Sequence, residues 1–157
     1  MEKQVKFVIG FLLDPTLSLV VLLRKNKPAH MEGLLLGVGG KIDEGETPIQ
    51  AMIREFGEEA WPNKERLHWH EFCTLAWRSE HHPDGTEMHC FCATGNVWAA
   101  RSMTAEKIEV FKISEVMDRP DTVGNVRWLL QMARSSFFMK DYPGYRIEAV
   151  DMFVGAQ

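Results

Sequence analysis

Several things are scarce in this chain, and each shortage closes off a class of protein. Three cysteines (Cys73, Cys90, Cys92) are too few and too unevenly placed for a disulfide framework. Cys90 and Cys92 are too close together for an ordinary bridge, so the set suits a reducing compartment, and a cytoplasmic location is expected. Basic residues are not in excess: 18 Lys and Arg against 22 Asp and Glu leave a formal net charge of -4. A general nucleic-acid binder or anionic-membrane binder normally carries a basic surplus, so neither partner is expected. No apolar run is long enough to span a bilayer, and the start Met1-Glu2-Lys3-Gln4 does not lead into the apolar stretch of a signal peptide. Low-complexity tracts, internal repeats and linker-like stretches are missing too.

What remains is ordinary globular material. With 157 residues, 45% of them apolar and 25% charged, the chain is large enough for one well-buried core, and a single domain over residues 1–157 is expected. Val5–Leu13 and Leu17–Leu23 are β-branched and apolar runs separated by the turn signal Asp14-Pro15, which predicts an antiparallel pair. Residues 34–40 (LLLGVGG) read as a strand end entering a tight glycine loop. Leu67–Trp77 and Glu87–Val97 predict strands around a polar loop at 79–85. Ile108–Ile113 and Tyr145–Phe153 predict two more.

Two segments have helical periodicity. Thr47 is a suitable N-cap, Pro48 suits the first helical position, and Pro62 stops the helix, so residues 47–60 predict a helix. Ile49, Met52, Ile53, Phe56 and Ala60 form its expected buried stripe. Residues 126–137 predict a second amphipathic helix. Strands and helices in this mixed order predict an α+β fold, an α/β/α sandwich.

The chemistry concentrates around the first helix. Glu55, Glu58 and Glu59 stand at i, i+3 and i+4 and share one face off the apolar stripe. Like charges at this spacing repel by about 0.2–0.5 kcal/mol per pair, a conflict that a hard divalent cation resolves through carboxylate oxygens. Ahead of the helix, Gly39-Gly40-Lys41 brings backbone close to a ligand, and Arg54 offers a forked guanidinium to orient a carboxylate. Metal ions, an accessible glycine loop and an orienting arginine together suit attack of water on a phosphoanhydride.

The spacing Gly40, Glu46, Arg54-Glu55-Phe56-Gly57-Glu58-Glu59 places six fixed residues and an apolar site over residues 40–59. It resembles the signature box of Nudix hydrolases, and the loop Gly39–Thr47 is similar to that of MutT-like members. One departure stands at the helix exit: the family usually has glycine and then an apolar residue where this chain has Trp61 and Pro62. The resemblance implies a Nudix-type fold, with a mixed β-sheet between helices and the box as loop-helix-loop. It implies Mg2+, with Mn2+ as a substitute, held chiefly by Glu58 and Glu59, with Glu55 as a further ligand or base and the Gly39 carbonyl as another donor. Glu46 and Arg54 are then the residues that stabilise the loop-helix unit, and Lys41 a substrate contact beside the glycines. A further glutamate from a later loop is implied; Glu106 is the candidate, with Glu109 second.

The resemblance also implies a nucleotide substrate. Length and the C-terminal helix are similar to MutT-like enzymes that split a nucleoside triphosphate, here expected to be a deoxynucleotide, into monophosphate and pyrophosphate. A nucleotide-sugar such as ADP-ribose, and a sensor that binds without turnover, are the alternatives; three intact glutamates oppose the sensor. Asn125 stands where a base-reading amide is found in MutT-like relatives, and also where a helix cap is expected. Leu36 occupies a position where oxidised-purine hydrolases carry an amide, so selectivity for an oxidised purine lacks that contact. Trp69, Trp77, Trp98 and Trp128 can stack on a base or fill the core. Monomer and homodimer are both compatible with the sequence.

Overall fold

The computed structural model describes residues 4–63 and 65–150. Eight strands form one mixed sheet: β1 (Val5–Leu13), β2 (Leu19–Arg24), β3 (Leu35–Leu36), β4 (Val38–Lys41), β5 (His70–Ser79), β6 (His82–Thr94), β7 (Lys107–Lys112) and β8 (Tyr145–Val150). Their main path runs β3-β2-β1-β6-β5-β8, with β4 added to β1 and β7 to β2. The helices are α1 (Pro48–Glu59), the short α2 (Ile113–Val116) and α3 (Val126–Phe138). This is the α+β sandwich expected, and among the described residues no helix is long and apolar enough to cross a membrane.

Strand β1 organises the molecule. It pairs in parallel with β6 along its whole length, from Val5↔Thr86 to Leu13↔Thr94. On its other side it has two antiparallel partners in succession: β4 opposite Phe7–Gly10, and β2 only at Leu13↔Val20. The sheet therefore splits between β4 and β2, and the split leaves a hollow over Phe7–Ile9. Residue alternation divides the core into two. Phe11, Phe72, Leu75, Cys90 and Cys92 pack under Leu129, Leu130 and Ala133 of α3. Val8, Leu12, Leu23 and Phe91 pack under Ala51, Met52 and Phe56 of α1.

Helix α1 begins as the sequence predicts. Thr47 and Gln50 form a capping box, with Gln50 N–H donating to Thr47 Oγ1 at 3.3 Å and Thr47 N–H to Gln50 Oε1 at 3.0 Å. The buried stripe is narrower than expected. Met52, Phe56 and Ala60 are buried, but Ile49 is 37% and Ile53 50% exposed. The helix lies chiefly on β1 and β4, and its Ile49–Ile53 side is left largely exposed.

Other bounds also move. Leu17 sits in the β1–β2 turn at φ 59°, outside β2, whose register starts at Leu19. The 79–85 segment expected as a polar loop is mostly strand, because the β5–β6 hairpin runs on to Ser79↔His82. Residues 67–69 and 95–97 fall outside β5 and β6. The last strand ends at Val150, and residues 151–153 of the expected strand lie outside the described region.

Candidate active site

The split in the sheet opens a cavity of about 220 Å³ lined by Phe7, Ile9, Lys25, Leu36, Gly40, Glu59 and Met88, among others. It joins the box helix to the floor of the sheet. A larger hollow of about 360 Å³ beside Trp77 and Arg146 contains no residue of the box.

Two glycines let the box close on the sheet. Gly39 faces Ile9 in the β1–β4 ladder, and a Cβ there would run into the backbone carbonyl of Val8. At Gly40 a Cβ would stand 2.5 Å from Glu55 Oε1. The first glycine lets two strands approach, and the second leaves room for a carboxylate.

Arg54 then ties the box together. Its Nε and Nη2 donate to the two oxygens of Glu46 at 2.8 and 2.9 Å, Nη1 donates to Glu55 Oε1 at 2.8 Å, and Nη2 also reaches the Lys41 carbonyl at 3.0 Å. Glu58 stands 3.5 Å from Nη1, with its side chain largely in solvent. The hydrogen bond from Arg54 holds the Glu46 carboxyl below its usual range, although its burial opposes this. The guanidinium in turn is pushed further up by Glu46 and Glu55.

The helix exit explains how the chain does without the family's usual glycine. Trp61 is buried and packs on Phe56 at a ring separation of 5.9 Å, with its indole N–H donating to the Glu65 carbonyl at 3.0 Å. The carbonyls of Glu59 and Ala60 are satisfied by the N–H groups of Met103 and Arg101. That same loop delivers the next carboxylate.

Glu106 is held by Lys25 Nζ at 3.1 Å and by the Asn26 N–H at 2.8 Å. Its charge acts on Glu59. Burial first, then the charges of Glu55 and Glu106, push the Glu59 carboxyl up to about 7, with Lys25 opposing and Glu58 adding a little. Glu59 Oε2 is buried and accepts no hydrogen bond. Glu109 is not part of this group: it is paired with Arg24 at 2.6 Å, in a network that continues to Asp121 and Arg119.

Among the described residues, no three His, Cys, Asp or Glu side chains already stand as a metal cage. The reason is visible in the contacts, since Arg54 holds Glu55 and Lys25 holds Glu106. The donors nevertheless fit a hard divalent cation. All are oxygens, the charges of Glu55, Glu106 and Glu58 act on Glu59, and a buried oxygen of Glu59 has no partner.

Leu36 lines the cavity. Lys41 is at the end of β4 with an exposed side chain, and only its carbonyl is tied into the box. Asn125 is buried ahead of α3, just after the bridge of Leu35 to Thr122, in which the Leu35 N–H donates to the Asp121 carbonyl and the Val123 N–H to the Leu35 carbonyl. It does not cap the helix: its backbone is helical at φ -77°, ψ -17°, its side chain makes no cap hydrogen bond, and Nδ2 is buried without a partner. Trp77 and Trp128 pack on the α3-side core, Trp69 stacks edge-on to Phe56, and Trp98 is exposed.

Lys25 is a cavity residue that the sequence does not single out. It lies in a basic stretch, Arg24 to Lys27, whose composition gives no direction. The antiparallel pairing of β2 with β7, ending at Arg24↔Lys107, is what sets it beside Glu106.

Comparison with known proteins agrees with this architecture. The model of the NUDIX domain family matches residues 3–131. Among curated proteins, the 8-oxo-dGTP diphosphatase of Escherichia coli K12 is 37% identical over 57 residues, which is 36% of this chain and 43% of that protein. The chain thus aligns with less than half the length of this relative. Among solved structures, the NUDIX domain of Shewanella oneidensis NrtR, complexed with ADP ribose, superposes with a TM-score of 0.72 at 20% identity, covering 87% of this chain and 90% of that one. A NUDIX hydrolase from Nitrosomonas europaea gives 0.68 at 16% identity, covering 95% and 81%. At these identities the structural likeness is one of fold. A family match that takes in β1 through the first turns of α3, over a box intact from Gly40 to Glu59, leads to one assignment: the chain belongs to the NUDIX domain family.

Proposed function

We propose that this chain is a divalent-metal-dependent pyrophosphohydrolase that splits a nucleoside triphosphate, a deoxynucleotide by preference, into monophosphate and pyrophosphate. The observation that carries this reading is Glu59: a cavity-lining carboxylate with one oxygen buried and unpartnered, surrounded by the negative charge of Glu55, Glu106 and Glu58. Surplus negative charge at a cavity is unfavourable unless a cation shares it.

Glu58 and Glu59 are the principal ligands for Mg2+ or Mn2+, with Glu55, Glu106 and the Gly39 carbonyl as the further donors. A cation held by these residues would supply Lewis acidity for the attack of water and positive charge to offset the phosphate oxygens. The protein's own residues do the rest. Glu46 and Arg54 fix the loop to the helix, so Glu55 is held against Gly40 as the candidate base. Lys25 offers positive charge to the phosphates from the cavity wall, and the exposed Lys41, next in chain to the cavity-lining Gly40, is a further candidate contact. The apolar stretch of Leu36, Phe7 and Met88 suits a base, and the buried, unpartnered Asn125 amide, which is not among the residues lining the cavity, is the candidate hydrogen-bonding reader.

The whole of residues 1–157 is read as one domain, supported by α1 and α3 each covering one face of the same sheet. A cytoplasmic monomer or homodimer acting on neither nucleic acid nor membrane is supported by the net charge of -4 and three unpaired cysteines.

A second reading keeps the chemistry and changes the substrate to a nucleotide-sugar of the ADP-ribose kind. It is favoured by the apolar Leu36 in the cavity and by the fold shared with a domain complexed with ADP ribose. Chromatographic product analysis separates the readings, using purified protein, Mg2+ and a panel of normal and oxidised nucleoside triphosphates and ADP-ribose, with Glu58→Gln as the control. Monophosphate plus pyrophosphate, lost in the control, is the expected result. AMP plus ribose 5-phosphate would move the assignment to the second reading, and binding without turnover would make the chain a sensor.

A further inference from the structure

The three cysteines are not equivalent. Cys73 and Cys90 are Cα partners across the β5–β6 ladder, while the partner of Cys92 is His70. All three are buried on the α3 side of the sheet and free. The sulfur of Cys92 is already engaged, 3.1 Å from His70 Nε2 and 3.5 Å from Ser136 Oγ. The Cys90 thiol donates weakly to the Met88 carbonyl at 3.8 Å and stands close enough to Cys73 for each to shift the other's acidity. Opposed residues in an antiparallel pair have Cα atoms about 4.5–5.5 Å apart, inside the roughly 4.4–6.8 Å span of a disulfide, and their Cβ atoms, about 4.5–5.5 Å apart, need draw together only slightly to reach the roughly 3.5–4.5 Å of a bridge. A register shift between Glu71 and Cys73 adds local play beside the pair.

Access and reactivity differ between the two. Cys73 lines an open hollow of about 360 Å³, together with Glu71, Thr74, Pro143 and Tyr145, at the β5–β8 edge. Cys90 has no place in that lining. The neighbouring Cys90 thiol holds Cys73 below its usual value against the opposing effect of burial, and burial pushes Cys90 well up, so Cys73 is the more acidic of the two. Burial likewise pushes the Cys92 thiol up to about 12.

We propose that Cys73 and Cys90 are a peroxide-sensitive pair, Cys73 reacting first and Cys90 closing the disulfide. The Cys73 thiolate attacks a hydroperoxide: an S–O bond forms, the O–O bond breaks, and the alcohol or water leaves with a proton while sulfur is oxidised to sulfenic acid. The Cys90 sulfur then attacks Cys73 sulfur, forming S–S and breaking S–O, and water leaves with the Cys90 proton. The net change is two thiols and one hydroperoxide to one disulfide, one alcohol or water, and one further water. The bond lies behind a wall of the candidate active site, because Ile9 pairs with Cys90 across β1–β6 and Met88 precedes it by two residues, and both line the cavity. The proposal does not depend on which substrate the site takes.

The test uses the whole protein, treated with hydrogen peroxide, alkylated, and digested with trypsin and chymotrypsin without reduction. Cleavage after Arg78 and Phe91 separates the three cysteines. The expected result is a Cys73–Cys90 linked peptide, loss of two of the three titratable thiols, and full return on adding dithiothreitol. Cys92→Ala should still form the link, and Cys90→Ala should leave a Cys73 sulfenic acid that dimedone traps. Three thiols surviving in the wild type, a link to Cys92, or a sulfinic acid at Cys73 with Cys90 unmodified would each overturn the proposal.

Discussion

Replacing Gly40 and Gly39 by alanine, one at a time, should separate catalysis from stability at adjacent positions. In Gly40→Ala the new methyl would lie 2.5 Å from Glu55 Oε1, 2.6 Å from Cδ and 2.7 Å from Oε2. A relaxed contact needs roughly 3.3 Å, so the Glu55 carboxylate must retreat by about 0.8 Å, a misplacement of the size that costs on the order of 10²-fold in rate at an active site. Retreat also disturbs the 2.8 Å hydrogen bond from Arg54, worth about 1.5–3 kcal/mol as a charge-assisted contact and only partly lost. Gly39→Ala meets the Val8 carbonyl, which belongs to the β1–β4 ladder and cannot swing aside. Its overpacking cost is about 3 kcal/mol. Urea denaturation and Mg2+-dependent turnover of both variants provide the assay. Gly40→Ala should fold well and turn over slowly, whereas Gly39→Ala should be the less stable protein. Near-wild-type turnover in Gly40→Ala, or equal destabilisation of the two, would refute the reasoning.

Three further outcomes can be measured. Lys25→Met removes the partner of Glu106 at 3.1 Å and a cation from the cavity wall, and kcat/KM should fall by about tenfold, mostly through KM, as expected for a phosphate contact made in ground and transition states alike. An effect on kcat alone would assign Lys25 to another role. His89 lies between Glu71 at 2.6 Å and Glu87 at 2.7 Å; burial pulls its pKa down, but the two carboxylates outweigh it and raise the group above 6.5. The raised value means that its stabilising charge is fully present below pH 6.5 and is lost as pH rises through the folded value. The stability difference between wild type and His89→Gln should therefore shrink by on the order of 1 kcal/mol between pH 6 and pH 9. A pH-independent difference in chemical denaturation would contradict that pairing. Asn125→Ala should flatten discrimination among bases more than it slows the best substrate, and an unchanged base profile would remove Asn125 from the site.

The box was readable because its chemistry is local. Glu55, Glu58 and Glu59 share a face through helical spacing alone, and Thr47 with Pro48 marks where that helix begins. The error at Ile49 and Ile53 arose from the same rule: periodicity identifies an apolar stripe but not how wide a neighbour covers it, and β1 with the short β4 covers only the Met52–Phe56 side. Choosing between Glu106 and Glu109 required the β2–β7 register, which gives Glu109 to Arg24 and Glu106 to Lys25. Asn125 was open to two roles in sequence; its helical backbone and unpartnered amide rule out the side-chain cap. His82–Gly85 reads as a loop because it is polar, yet it continues a hairpin whose end projects past the core, where pairing needs no apolar face.

The central claim is that the carboxylate face around Glu59 holds a divalent cation, and Mn2+ binding followed by electron paramagnetic resonance tests it most directly. Wild-type protein should take up Mn2+ and quench the signal of the free ion. Glu59→Gln, which keeps size and removes the charge, should weaken that affinity by at least about tenfold while circular dichroism shows an intact fold. Equal Mn2+ affinity in the two proteins would contradict the claim.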